Sequence, residues 1–135
     1  MIAVTNDVGR LLHAVFVSPV SAEDLAGFAQ TMQAHFKRSS QTFVAFTDLR
    51  KAGVLAPDVS ANLVAVMRSD NPRIERNAMI IGEGATFGMQ AERVVREANH
   101  KGRRVFRDPN DLAAWLSEVL GDAERTYLSG LLAKS

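Results

Sequence analysis

Residues 43–53, FVAFTDLRKAG, place one carboxylate, Asp48, at the end of an apolar and β-branched run, with Arg50 and Lys51 close behind it. An aspartate beside two cations stays ionised and can orient a donor on a partner; the same residue can accept backbone N–H bonds at a turn. A second stretch, GEGATFG at residues 82–88, brings Gly82, Gly84 and Thr86 to the point where a strand gives way to a helix. Its spacing is G-x-G-x-x-x-G, not the dinucleotide fingerprint, and Glu83 sets a negative charge where a phosphate would lie. No nucleotide or other cofactor is therefore assigned. Asp48, Arg50, Lys51, Gly82, Gly84 and Thr86 are the candidate residues for binding a ligand or partner.

Catalytic groups of the familiar kinds are missing. Cysteine is absent, which removes thiolate nucleophiles and Cys-ligated metals. His13, His35 and His100 are scattered, with no i, i+4 pair, so no metal site is expected. No serine stands in a G-x-S-x-G elbow. Lys101, Arg103, Arg104 and Arg107 form the densest basic cluster, with Arg93 and Arg96 shortly before it, but no aromatic residues interleave to stack bases. The cluster reads as a solvated face, and nucleic acid is not an expected partner.

Several elements must position these residues. Ile2–Thr5 and Arg10–Val17 read as a hairpin around NDVG. Ser21 and Asp24 form a capping box for a helix over 22–37, whose Leu25, Phe28, Met32 and Phe36 share a face. Thr42–Phe46 reads as a strand buried on both faces, and Pro57 opens a helix that stops near Asp70-Asn71-Pro72. Ala78–Ile81 is a further strand, and Phe87, Ala91, Val94, Val95 and Ala98 stripe a helix capped at Gly102. Val105–Phe106 is a short last strand before an Asp108-capped helix. The residues after Gly121 add a short helix through Tyr127, Leu128, Leu131 and Leu132. Alternation of strands and helices predicts an α/β fold: a mixed sheet of four to five strands, mainly parallel with an antiparallel N-terminal hairpin, and four or five helices.

At 135 residues, 47% hydrophobic and 23% charged, the chain has the size and balance of one globular domain. A formal net charge of +1 offers no global field for nucleic acid or anionic membrane. Asp7 interrupts the region where a signal peptide would be apolar, and no uninterrupted apolar run approaches the roughly 18 residues of a membrane span, so a cytoplasmic location is expected.

The strand ending FVAFTDL, the strand ending AMIIG and the closing FRDPNDLAAWL resemble the STAS domains, and more narrowly the SpoIIAA-like proteins, over residues 2–120. That resemblance implies a non-enzymatic regulatory module that binds a protein partner or small ligand at the loop end of its sheet. Relatives of this kind are switched by phosphorylation of a serine just after the strand aspartate. Here Leu49 and Arg50 occupy that place, and Ser60, the first hydroxyl downstream, is the candidate for phosphorylation, with a merely solvated hydroxyl as the alternative. Two other functions stay open. A carrier of an apolar ligand or lipid, touching membranes peripherally, would line a cavity with Phe87, Met89, Met32 and Phe36; an enzyme would use Asp48. Residues 1–120 form the expected domain, with 121–135 as a helical extension that supports a homodimer.

Overall fold

The computed structural model describes residues 1–134. Strands β1 (Ile2–Val8), β2 (Leu11–Val17), β3 (Phe43–Lys51), β4 (Ile74–Ile81) and β5 (Arg103–Phe106) form one sheet in the order β1-β2-β3-β4-β5. β1 pairs antiparallel with β2, and every other pairing is parallel. Helices α1 (Ala22–Arg38), α2 (Pro57–Asp70) and α3 (Ala85–Ala98) make the three crossovers. Right-handed crossovers that step in one direction across a sheet all fall on one face, so α1, α2 and α3 cover a single side. The other side is closed by the tail of the chain, α4 (Pro109–Ser117) and α5 (Asp122–Ala133).

β3 shows the consequence most clearly. Phe43, Ala45 and Leu49 point into the cores under α1, α2 and α3, whereas Val44 and Phe46 pack with Leu112, Leu116 and Leu128 of α4 and α5. A central strand covered on both faces has no polar alternation to display, which is why its sequence is almost continuously apolar. Ser21 caps α1 with the reciprocal Asp24 bond that the sequence predicts.

Several boundaries differ from the sequence reading, among them β5, which begins at Arg103, ahead of Val105. β1 continues to Val8 across a bulge, and the chain turns at Gly9, whose φ of +52° suits glycine. β3 runs on past Phe46 to Lys51, and β4 begins at Ile74, ahead of Ala78. α3 ends at Ala98 with Asn99 in the left-handed region (φ 58°), not at Gly102. Gly102 serves a different purpose: a Cβ there would collide with the Glu75 carbonyl.

The segment after Gly121 is part of the core. Leu128 is 1% exposed in the same cluster as Val44 and Phe46, and Tyr127, Leu131 and Leu132 pack around it. Glu124 accepts from the Arg10 amide at 2.8 Å, and Tyr127 Oη donates to Asp7 at 2.5 Å. Of the apolar stripe of α5, read from sequence as a surface for a homodimer, Leu128 is buried in its own core, and Tyr127, Leu131 and Leu132 are half-buried beside it.

Candidate functional site

In open α/β sheets a crevice opens where loops from neighbouring strands leave toward opposite faces. Among the described residues that happens once, between β4 and β5. β4 leads through Gly82–Gly84 into α3 on the first face, whereas β5 leads through Arg107 and Asp108 into α4 on the second. A cleft of about 640 Å³ lies at this divergence, lined by Gly82, Glu83, Gly84, Arg50 and Arg107. Three of the six residues proposed from sequence, Arg50, Gly82 and Gly84, therefore meet. Arg107, read from sequence as part of a solvated basic face, joins them.

Asp48 lies within β3 and supports the cleft from behind. Asp48 and Arg50 are two residues apart on one strand and so share a face. The Arg50 guanidinium grips both carboxylate oxygens, Nε to Oδ1 at 3.0 Å and Nη2 to Oδ2 at 2.8 Å, and the Arg50 amide donates to Oδ1 at 3.0 Å. Burial raises the Asp48 pKa, but the hydrogen bonds and charge of Arg50 outweigh it and hold the carboxyl below its ordinary value. The same bonds raise the Arg50 pKa. Arg50 Nη2 also donates to the Lys134 carbonyl at 3.0 Å, so the end of α5 helps to aim it.

α3 enters the cleft with Gly84 at its N-cap, φ +130°, and no side chain caps it. The first-turn N–H groups of a helix have no intrahelical partner, so donors face the cleft beside Arg107. Arg107 reaches its place because residue 88 is glycine: a Cβ on Gly88 would strike the Arg107 guanidinium.

The remaining candidates lie elsewhere. Lys51 is exposed at the end of β3, opposite Val17, and does not line the cleft. Thr86 and Ser60 line a separate groove between α2 and α3. Met32 and Phe36 are each 5% exposed in the core, Met89 is 74% exposed, and the apolar void bordered by Phe87 has a volume of about 10 Å³. That is room for about one water and far too little for an acyl chain, so these four residues do not line a lipid cavity. His13 stacks on Phe46, ring centroids 5.3 Å apart, with its pKa lowered by burial against the opposing pull of Asp48. His100 bonds the Ile74 carbonyl at 2.7 Å.

The basic cluster is also divided by the sheet. Arg103, expected on a solvated face, is 8% exposed and donates to Asn77 at 2.8 Å, to Asn71 at 3.0 Å and to the Met67 carbonyl at 3.0 Å. Period-two alternation in β5 sends Arg103 inward on one face and Arg104 out on the other, where its guanidinium lies over the Trp115 ring at 4.8 Å. Near Arg103 is Asp70, 3% exposed, whose described hydrogen bond is from Gln33 at 3.4 Å. Sequence reasoning placed Asp70 only as a helix stop.

Structural comparison decides the architecture. A solved structure of an uncharacterized DUF3478-family protein from Shewanella loihica, described as having a SpoIIAA-like fold, is similar to this chain with a TM-score of 0.62 and 19% identity, covering 86% of this chain and 92% of that one. This chain has a SpoIIAA-like fold. No family model and no curated protein matches its sequence. The cleft between β4 and β5 sits at the loop end of the sheet, the end at which the resemblance implies that a ligand or partner would bind. No helix among the described residues is long and apolar enough to cross a membrane.

Proposed function

We propose that the protein is a non-catalytic binding module whose loop-end cleft takes an anionic group of a small ligand or protein partner. The observation that carries this reading is the convergence of Arg50 from β3, Arg107 after β5 and the uncapped first turn of α3 on one cleft. Asp48 neutralises Arg50, and Glu83 stands on the rim, so the net charge at the site is small. Affinity then rests on directed donors more than on field, and binding of a simple anion is weak and geometry-dependent. Asp48 is engaged through both oxygens and held ionised, which makes it a positioning residue for Arg50 and a poor general acid.

The test is calorimetric titration with inorganic phosphate on the parent and on Arg107→Gln. Loss of one charge-assisted bond weakens binding by about tenfold while the melting curve stays in place, since Arg107 is exposed. Equal affinity in the two proteins would contradict the reading.

A further inference from the structure

Large hydrophobic side chains are exposed at three described positions, Met1, Val54 and Met89. Val54, 59% exposed, comes from the loop before α2, and Met89, 74% exposed, comes from α3, yet both line one groove of about 500 Å³ between those helices. The far end of the groove is basic. Arg93, Arg96 and one acid, Glu97, line it; Arg93 meets Glu97 at 3.4 Å, whereas no ion pair involves Arg96 among the described residues, so the end keeps a positive excess. Arg68 of α2 stands beside this end without lining it, its Nε bonded to the Glu97 carbonyl at 2.8 Å. The groove therefore grades from apolar to positive along α3.

We propose that this groove docks an acidic amphipathic segment of a protein partner, with an apolar side chain seated on Val54 and Met89 and carboxylates over Arg93 and Arg96. Arg93 and Arg96 follow Met89 by four and seven residues, roughly 6 and 10 Å along the helix axis. A helical occupant lying along α3 matches that span by carrying Asp or Glu four to seven residues from its apolar anchor. The charge gradient disfavours a basic segment. The groove and the loop-end cleft share no lining residue, so this inference stands apart from the anion reading.

The probe is a labelled peptide of about 18 residues, long enough to hold some helix, with leucine anchors and glutamates at the matching spacing, and a twin with lysine for glutamate. Fluorescence anisotropy should show saturable binding of the acidic peptide and at least about tenfold weaker binding of the twin. Met89→Asp and Arg96→Glu, both at exposed positions, should each weaken the acidic peptide by about tenfold, with unchanged circular dichroism. Binding that ignores the charge of the peptide, binding unaffected by both variants, or no saturable binding would overturn the proposal. So would a dimer in sedimentation that Met89→Asp dissolves, because the groove would then hold a second copy of this chain.

Discussion

Asp70 supplies the sharpest energetic prediction. Its carboxyl is 3% exposed, and burial pushes its pKa up to about 6 from the ordinary 3.8, even with the attraction of Arg103 and the Gln33 bond acting the other way. A group that binds its proton more tightly when folded stabilises the fold fully below pH 3.8 and loses that contribution as pH rises through 6. The difference between the two values corresponds to about 3 kcal/mol, at about 1.4 kcal/mol per tenfold change in proton affinity. Asp70→Asn removes the titration while keeping the shape. Urea unfolding at pH 4, 6 and 7.5 should find the variant close to the parent in acid and more stable by about 1 to 3 kcal/mol at pH 7.5, the lower figure allowing for an imperfectly bonded amide. Other carboxylates cancel in the difference. A variant less stable than the parent at pH 7.5, or a gap that does not change with pH, would refute the reasoning.

Gly88→Ala should leave thermal stability unchanged or raise it by up to about 1 kcal/mol from helix propensity, because the atom it displaces is the far end of a flexible arginine, yet it should weaken phosphate binding in a calorimetric titration by moving Arg107. Asp48→Asn breaks a pair in which the side chains are 17% and 22% exposed, and should cost about 1 to 2 kcal/mol in urea unfolding at pH 7. Because the folded Asp48 pKa is lowered, that cost is present above its ordinary value and fades as pH falls through the lowered one. Leu128→Ala should cost about 2 to 5 kcal/mol in the same assay, and deletion of residues 122–135 should unfold the chain as judged by circular dichroism.

Strand and helix order, the capping box at Ser21 and the two-sided burial of β3 were legible because each leaves a local pattern of period or cap. The end of β3 was not. Asp48 and Arg50 look like the polar stop of a strand, but at i and i+2 they face the same way and satisfy one another, so the strand continues to Lys51. Asn99 takes the left-handed cap that the sequence reading assigns to Gly102, since asparagine tolerates that conformation and the glycine is needed for a close approach to Glu75. Of the residues that line the loop-end cleft, Arg50, Gly82 and Gly84 were already candidates by type and spacing. Arg107 was missed because its role depends on β4 and β5 sending their chains to opposite faces, which no run of residues encodes. Alternation along RRVF could have shown that Arg103 and Arg104 cannot share a surface.

Anion binding at the loop-end cleft is tested most directly by following backbone amides in an NMR titration with inorganic phosphate at fixed ionic strength. Saturable shifts are expected at Ala85, Thr86, Phe87 and Arg107, with those at Ala85, Thr86 and Phe87 saturating only at about tenfold higher phosphate in Arg107→Gln and the amides around Met89 and Arg96 unmoved. Shifts spread evenly over the basic residues, or the same shifts with chloride in place of phosphate, would contradict it.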